Sequence, residues 1–338
     1  PDLSGAATGG TTAYSNAANA VALGTSITAV NDAPLASGSA TLAAINEDTA
    51  NPAGALVSAL ITASQYSDVT DTVSGGSTAT ALGGLAIVGN TANATTEGRW
   101  QYSTNGTTWV DVPTSASDSS ALILPTTASI RFVPVANYSG TPGGLSVRLA
   151  DSVQTLSTAS DISGVLGGTN TWSAAAIPLG TTVNPINDAP VITALSGTPA
   201  TVEQQATPVR LDGDGNVTVF DRELSGGNWN GASLTVRRSG AVAASDVFSM
   251  IDDSGTAGDG SGVEISGGNL LVDGVNIGSV TNAGGTLSVN FNASATDALV
   301  GKAMGAVAYR NTSDTPPGTV QINFDLNDHN SNTTGGGT

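Results

Sequence analysis

The residues in this chain whose side chains most clearly suggest chemistry lie in two copies of the tetrapeptide Asn-Asp-Ala-Pro, at residues 31–34 and 187–190. Their Asn and Asp oxygens suit Ca²⁺, a hard cation that takes about six to eight oxygen ligands. Proline has no backbone donor and tends to stop a β-ladder, so each copy reads as a joint between domains. We predict a calcium site at each joint. The alternative is an Asx turn without a metal, since Asn and Asp favour turns through their own hydrogen bonds.

Other acidic residues of the first domain could return to these joints. Glu47 and Asp48 come early, Asp68 and Asp71 follow, and Asp151 lies late in the domain. In a β-sandwich the early strand ends and the last loops can meet at one pole, where such carboxylates could share a cation. The alternative is a solvated acidic rim.

The second domain contains the opening of a calcium loop. Asp212, Asp214, Asn216 and Glu223 hold the first, third, fifth and twelfth places of such a loop, whereas Val217 stands where the pattern has Gly. Because no amphipathic helices flank this segment, we predict a β-type site rather than a helix-loop-helix. The full set of predicted metal ligands is Asn31, Asp32, Glu47, Asp48, Asp68, Asp71, Asp151, Asn187, Asp188, Glu203, Asp212, Asp214, Asn216, Asp221, Glu223 and Asp328.

Charge and composition exclude several classes of function. The chain has 27 acidic and 9 basic residues and a net charge of −18, so a nucleic-acid surface is not expected and anionic membranes would repel it. It has no Cys and no apolar run of about 20 residues, so we expect neither thiol chemistry nor membrane insertion. The single His329 lies in a polar, Gly-rich loop, and no acid lies in an aromatic-lined apolar stretch. We therefore expect no enzyme, although paired carboxylates could in principle hydrolyse glycosides.

The length of 338 residues and the 43 Gly favour two domains with many short strands and turns. The predicted strands are residues 53–63, 85–88, 99–103, 108–112, 120–124, 129–133, 145–150, 232–238, 269–272, 275–280, 285–291, 305–310 and 319–326. Asn105-Gly106 predicts a type I′ hairpin that pairs residues 100–102 with 108–110. Trp100 and Trp109 would then pack together, or else form an exposed pair for sugar faces. Residues 294–297 predict the cap of one short helix, and Asp273-Gly274 predicts another hairpin.

The order of short motifs in residues 1–30 repeats that in residues 161–186, the tail of the first full domain. We therefore divide the chain into terminal strands of a preceding or neighbouring domain (1–30), a first β-sandwich (31–186) and a second that lacks its last strands (187–338). The chain thus begins with the kind of tail that its second sandwich lacks. Two assemblies could supply the missing strands: a tandem array, or head-to-tail subunits in which residues 1–30 complete the next copy by strand addition. A boundary placed without regard to domains is the third possibility.

The Asn-Asp-Ala-Pro joints, Asn46-Glu47-Asp48 and the segments 98–103 and 309–314 resemble the cadherin-like and Ig-like tandem repeats of giant bacterial surface adhesins, such as the extender region of RTX-type adhesins. The resemblance implies an all-β chain of Ig-like or cadherin-like β-sandwich domains, calcium at the joints, secretion, and an extracellular or cell-surface location. The ligands it carries over are Asn31, Asp32, Glu47 and Asp48 at one joint, and Asn187, Asp188, Glu203, Asp221 and Glu223 at the other. Gln204 follows Glu203 at the position that corresponds to Asp48, so the second joint lacks this acidic ligand and is expected to bind calcium more weakly or not at all.

The expected function is a structural repeat of an adhesin or extracellular fibre, whose partners are neighbouring copies of the same repeat in one chain or between chains. The alternative is an adhesin module that binds a surface glycan or protein through its four tryptophans, Trp100, Trp109, Trp172 and Trp229.

Overall fold

The structure is a computed structural model, and it describes residues 23–72, 77–251 and 262–330. These residues form an all-β protein, which confirms the predicted fold class; its closer likeness to Ig or cadherin sandwiches stays a prediction. The strands before Asn187 are β1 (Leu35–Ala36), β2 (Ala40–Thr41), β3 (Ile45–Asn46), β4 (Ala55–Leu56), β5 (Tyr66–Ser67), β6 (Gly84–Asn90), β7 (Gly98–Ser103), β8 (Val110–Asp111), β9 (Ala121–Pro125), β10 (Ser129–Pro134), β11 (Leu145–Ala150), β12 (Ser157–Ser160), β13 (Ile177–Gly180) and β14 (Val183–Asn184). After Asn187 come β15 (Val191–Thr193), β16 (Val209–Arg210), β17 (Thr218–Phe220), β18 (Ser233–Arg238), β19 (Asp246–Met250), β20 (Val263–Ser266), β21 (Asn269–Val272), β22 (Val275–Ala283), β23 (Thr286–Phe291), β24 (Val307–Asn311) and β25 (Ile322–Asn327).

The first domain encloses its core between two sheets. One sheet has the order β4-β10-β7-β8 and the other the order β12-β9-β6-β11-β13-β2. Trp100 and Phe132 from the smaller sheet meet edge to face with ring centroids 5.3 Å apart, and Leu85 and Leu149 come from the larger sheet. Burying each such side chain contributes about 1.5–3 kcal/mol, so this contact between the sheets holds the domain together.

Residues 53–63 were predicted as a strand, and that prediction is wrong. Only the two-residue β4 is extended there, and the four-residue helix α1 (Val57–Leu60) follows it. Val57 and Leu60 are both buried. Residues three apart lie on one face of a helical turn but on opposite faces of a strand, which explains why this apolar run turns. The predicted helix of the second domain is therefore not the only helix among the described residues.

The Asn105-Gly106 hairpin exists, but its register differs from the predicted one. β7 and β8 pair Gln101 with Asp111 and Tyr102 with Val110, so the connection spans residues 104–109 instead of a two-residue turn. The Asn105 carboxamide oxygen accepts hydrogen bonds from the backbone N–H of residues 107 and 108, which stabilises the longer loop. As a result the two nearby tryptophans do not face each other across the hairpin.

Strand β13 fills a slot between two other strands of the larger sheet. It runs antiparallel to β11, with Leu179 opposite Leu145 and Ile177 opposite Val147, and parallel to β2, with Leu179 opposite Ala40. The parallel pairing continues through β14 and β3, and the intervening backbone N–H groups of residues 42, 45 and 47 donate to the carbonyls of residues 180, 182 and 184. The last strands of this domain thus lie alongside its first ones.

The second domain packs the three-stranded sheet β16-β24-β19 and the six-stranded sheet β20-β21-β22-β23-β18-β25 around a separate core. Helix α2 (Asp297–Gly305) covers part of this core, and the Thr296 side chain caps its N-terminus by accepting from the Leu299 N–H. The Trp229 side chain is fully buried, and its indole N–H donates to Asp297 at 2.7 Å. The predicted cap and short helix are confirmed.

Most predicted strands of the second domain are confirmed, as is the Asp273-Gly274 hairpin, in which both residues have positive φ (49° and 76°) as a type I′ turn requires.

The 309–314 motif ends in a buried polar network. Asp246 Oδ1 accepts hydrogen bonds from the Tyr309 hydroxyl at 2.7 Å, the Asn311 amide at 2.8 Å and the Arg238 guanidinium at 2.6 Å. Burial raises the pKa of Tyr309; the hydrogen bond with Asn311 opposes this shift, and the hydrogen bond to Asp246 adds to it. Tyr309 and Asn311 of this motif therefore join β24 to β19 inside the domain.

The two cores share no residue, and each lies on one side of Asn187. The exact domain limits stay a prediction, as does the assignment of residues 1–30, of which 1–22 lie outside the described residues. No helix in the described part of the chain is long and apolar enough to cross a membrane.

Candidate metal centres at the domain joints

The first joint brings together five of the seven residues that the sequence placed there. Glu47 and Asp48 were assigned to the wrong joint, because they lie at the opposite pole of the first domain and contact the second joint. β1 pairs antiparallel with β5 and holds the linker beside Asp68, the residue after β5. One 3₁₀ turn (Val69–Asp71) then returns Asp71 to the linker, where its Oδ1 accepts from the Asp32 backbone N–H at 2.8 Å. The Asn31 amide donates to Asp151 Oδ2 at 2.8 Å. Five of the seven ligands predicted for this pole therefore lie in one cluster, which we call the first joint cluster (Asn31, Asp32, Asp68, Asp71 and Asp151).

This cluster is negatively charged and largely removed from solvent. Asp68, Asp71 and Asp151 are 5%, 1% and 5% exposed. Thr80 donates its N–H and its hydroxyl to Asp68 Oδ2, at 2.7 and 3.1 Å, whereas the buried Asp68 Oδ1 has no donor. None of the salt bridges found among the described residues involves this cluster. Buried carboxylates without a cationic partner are costly, so a bound cation would stabilise this cluster.

The pKa values of the neighbouring groups respond to that charge. Burial raises the pKa of Asp151, and the charges of Asp68 and Asp71 raise it further against the lowering effect of the Asn31 hydrogen bond. Burial also raises the pKa of Tyr66 to about 12, with smaller contributions from the same carboxylates. Each shift disfavours negative charge at this pole, which is the condition that a bound cation would relieve.

The second joint repeats the arrangement at the start of the second domain. β15 pairs with β17, and Asp221 follows β17 as Asp68 follows β5. The Asp188 backbone N–H donates to Glu223 Oε2 at 3.3 Å, the counterpart of the contact between Asp32 and Asp71. Each linker is positioned by an equivalent short strand pair, β1 with β5 or β15 with β17. The acidic residues that follow β5 and β17 therefore reach equivalent positions beside the two linkers.

The second joint cluster (Asp188, Asp221, Glu223 and Asp328) also has unsatisfied oxygens. Asp221 and Asp328 are buried, and Oδ2 of Asp188, of Asp221 and of Asp328 has no hydrogen-bond donor. Burial is the largest cause of the raised pKa of Asp188, Asp221 and Glu223. Nearby carboxylates add to the shifts: Asp48 acts on Asp188, Asp328 on Asp221, and Asp221 on Glu223.

The pole of the first domain that lies away from the first joint faces this second joint. Glu47, which is 3% exposed, accepts from the Ile186 backbone N–H at 2.7 Å, just before the half-buried Asn187. Across the joint, the Arg222 guanidinium donates to the Asn137 carbonyl at 2.9 Å. Asp48 is exposed, and its Oδ1 accepts from the Asn137 N–H at 2.8 Å. Both domains therefore place acidic side chains at the same joint.

Glu203 does not lie at the second joint. It is exposed and lines a groove with residues 316–318, which precede β25, whereas Asp328 follows β25. A strand of six residues spans about 20 Å, so Glu203 and Asp328 occupy opposite poles of the domain. Spacing from the joint correctly paired Glu203 with Glu47, but both residues belong to the pole that faces the following joint.

The predicted calcium loop at residues 212–223 is divided between two places. Asp212 is fully buried, and its carboxylate accepts from the backbone N–H of Ser196 at 3.2 Å and of Val217 at 3.4 Å. Asp214 and Asn216 are exposed and bond each other at 2.7 Å. Glu223 belongs instead to the joint, beyond β17. Asp212 thus holds two loops together, and none of the hydrogen bonds found among the described residues joins Asp212, Asp214 or Asn216 to Glu223.

Sequence reasoning missed Thr80, Asn137 and Arg222. Thr80 bonds Asp68 and also the Asp151 carbonyl, so it links the two halves of the first joint cluster. Asn137 and Arg222 contact each other across the second joint. The place of Arg222 between two predicted ligands, Asp221 and Glu223, was the only signal that could have identified one of them.

Three of the four tryptophans have their rings inside the protein. Trp100, Trp172 and Trp229 are 0%, 4% and 0% exposed. Trp109 is half-buried, and the Arg131 guanidinium lies over its ring, 4.1 Å from the centroid. Trp100, Trp172 and Trp229 therefore act as core residues in this structure, and only Trp109 presents part of its ring to solvent.

In the part of the chain that the structure describes, no three acidic side chains are already arranged as a metal site. The donors do fit a hard cation in type, because each joint combines carboxylates that lack donors with Asn and backbone oxygens. Comparison with known proteins gave no match, either to a protein-family model or to a curated protein.

Proposed function

We propose that this chain is a structural repeat unit of a secreted adhesin or extracellular fibre, in which calcium stiffens the joints between all-β domains. The observation that carries the proposal is the repetition of one acidic arrangement at two linkers. At both, the backbone of the linker Asp donates to an acid that follows a short strand, and a buried Asp lies at the end of β11 or β25. A solvated rim would not bury carboxylates with unpaired oxygens.

Calcium would act on the second joint by joining the two domains. Asp188, Asp221 and Glu223 would bind from the second domain, while Asp48, whose charge reaches Asp188, and Asn187 would add oxygens from the first domain and the linker. A cation at this place neutralises repulsion and restricts the linker, which favours an extended rod over a flexible chain. Binding would have to draw these side chains together. The proposal assigns no catalysis to the chain.

The direct test measures calcium binding and shape together. Isothermal titration with CaCl₂ and small-angle X-ray scattering, with calcium and with chelator, are applied to the whole chain and to Glu223→Gln. We expect calcium to make the chain longer and more uniform in shape, and the variant to lose this change. Asp214→Asn removes the same charge from an exposed side chain and serves as the control. Identical scattering profiles with and without calcium would overturn the proposal.

A further inference from the structure

The six-stranded sheet of the second domain has an open edge where the first domain has a strand. β25 is the last strand of its sheet among the described residues, whereas its counterpart β11 is covered by β13. The correspondence is set by the buried acids Asp151 and Asp328, each of which directly follows its six-residue strand. An edge strand presents unpaired N–H and C=O groups, and it can therefore pair with another chain.

The apolar side chains on this edge are correspondingly less buried. Leu145, Val147 and Leu149 of β11 are 1%, 0% and 0% exposed. Their counterparts in β25 are only partly buried, and all three pack at the margin of the second core. These counterparts are Ile322, Phe324 and Leu326. The edge of β25 thus has the inward alternation of a covered strand without the covering strand.

A groove of about 730 Å³ lies beside this edge. The residues that line it include Ile322 and Phe324 of β25 and the segment Ser196-Gly197. Residues 196–197 stand at the same distance from their joint as β2 does from the first one, because residues 40 and 196 each follow the joint Asp by eight positions. In the first domain the slot between β11 and β2 holds β13. The groove therefore corresponds to the position that β13 occupies in the first domain.

One other segment of the chain has the sequence of that strand. Residues 21–34 (Val-Ala-Leu-Gly-Thr-Ser-Ile-Thr-Ala-Val-Asn-Asp-Ala-Pro) align without a gap with residues 177–190 (Ile-Pro-Leu-Gly-Thr-Thr-Val-Asn-Pro-Ile-Asn-Asp-Ala-Pro). Leu23, Ile27 and Val30 are 95%, 93% and 59% exposed, whereas Leu179 and Val183, the counterparts of the first two, are 0% and 1% exposed. Within the described residues this segment therefore exposes Leu23 and Ile27, whose counterparts in the repeat are buried.

The same chain cannot bring this segment to its own groove. Val30 lies two residues before Asp32, which is held at the first joint by Asp71, and two residues span at most about 7 Å. The groove lies at the far pole of the second domain, beside Glu203 and beyond the second joint. Among the 338 residues, residues 21–34 are the segment that repeats residues 177–190. A second copy of the chain can bring this segment to the groove.

We propose that residues 21–30 of a second copy of this chain insert into the groove as an additional strand, antiparallel to β25. By the register of β13, Leu23 then lies opposite Ile322 and Ala22 opposite Asn323. Glu203 accepts from the Val30 backbone N–H, as Glu47 accepts from the N–H of Ile186. This inference rests on the structural role proposed above, but not on calcium.

Sedimentation velocity tests the contact at about 0.15 M salt, where the charge of the chain is screened beyond about 8 Å. The unaltered chain should form concentration-dependent head-to-tail oligomers, and the double variant Leu23→Asp/Ile27→Asp should be a monomer with an unchanged melting temperature, because both residues are exposed in the single chain. Val153→Asp, at another exposed apolar residue, is the matched control and should still assemble. A monomeric unaltered chain, or a double variant that assembles as well as the control, would overturn the proposal.

Engineered cysteines test the register, because the chain has no cysteine of its own. Directly opposed residues in antiparallel strands have Cα atoms about 4.5–5.5 Å apart, which a disulfide can span. A mixture of the Ala22→Cys and Asn323→Cys variants should form a covalent dimer on mild oxidation, whereas Ala22→Cys with Asp325→Cys, two residues out of register, should form at least several-fold less. Equal yields would contradict the predicted strand.

Chelator separates this inference from the calcium proposal. Assembly that persists in chelator and is lost in the Leu23→Asp/Ile27→Asp variant supports strand insertion, whether or not calcium stiffens the joints. Calcium-dependent stiffening in a chain whose assembly is insensitive to that variant would support the joints and overturn the inserted strand.

Discussion

Replacing Asp68 with Asn should stabilise the first domain in chelator. Asp68 Oδ2 accepts from Thr80 N and Oγ1, while the buried Oδ1 has no donor. An Asn side chain keeps the accepting oxygen and places its amide nitrogen at the position that lacks a donor. The substitution therefore removes one negative charge from beside Asp71 and Asp151 without losing a hydrogen bond.

The size of the effect follows from the repulsion that is removed. Two unit charges about 7 Å apart interact with about 2 kcal/mol at an effective dielectric constant of about 20. A domain of this size changes its melting temperature by about 2–4 °C for each kcal/mol, so we expect a rise of about 4–8 °C in chelator. In calcium the sign should reverse relative to the unaltered chain, because the Asp68→Asn variant has lost a charged ligand.

Differential scanning calorimetry at neutral pH, with chelator and with saturating calcium, measures both effects. Asp214→Asn is the control, since it removes the same charge from an exposed residue and should change stability by no more than about 0.5 kcal/mol. A lower melting temperature for Asp68→Asn in chelator would refute the reasoning. It would mean that the ionised carboxylate is already stabilised in the metal-free domain, so that no cation is needed there.

Three further predictions concern other contacts. The Arg148 guanidinium lowers the pKa of Asp118, so this pair stabilises the fold above the unfolded pKa of about 4 and is lost as pH falls through the folded value; Asp118→Asn should cost about 1–2 kcal/mol at neutral pH and lessen the acid sensitivity seen in urea titrations. Arg222→Ala removes the bond to the Asn137 carbonyl across the second joint, and it should speed proteolytic cleavage of the linker severalfold while leaving both melting transitions in place. Trp229→Phe loses an indole N–H that donates to the first residue of α2 and leaves a cavity, so it should cost about 2–4 kcal/mol in chemical denaturation; a cost below 1 kcal/mol would contradict that packing.

The joint acids could be predicted because they are tied to local signals. Asp151 and Asp328 end strands that alternate clearly, and Asp68 and Asp221 follow short strands that pair with the linkers. Spacing along the chain did not reveal which pole a residue reaches, and for this reason Glu47, Asp48 and Glu203 were assigned to the wrong joint. Each intervening strand carries the chain from one pole of the domain to the other, so the pole that a residue reaches depends on the number of strands before it. The shortest strands are hard to recognise in the sequence.

Other errors have local physical causes. The count of acids at 212–223 ignored β17, which carries Glu223 away from the buried Asp212. Asn105-Gly106 indicated a tight turn, but the Asn105 side chain bonds two N–H groups of a longer loop and so shifts the register of the hairpin. The apolar run at 53–63 has no feature that separates a short strand from a turn of helix until Val57 and Leu60 are seen to share one core.

The parallel pairing of β2 and β3 with β13 and β14 determines how the first domain responds to force. In sequence, β2 and β3 lie near the start of the domain and β13 and β14 near its end. The hydrogen bonds between them join residues 42, 45 and 47 to residues 180, 182 and 184. Tension along the chain would pull the two parallel segments in opposite directions along their length. All of these hydrogen bonds would then be loaded together in shear, rather than opened one after another. A domain built in this way resists extension until the whole ladder slides, which suits a unit that carries load between its ends.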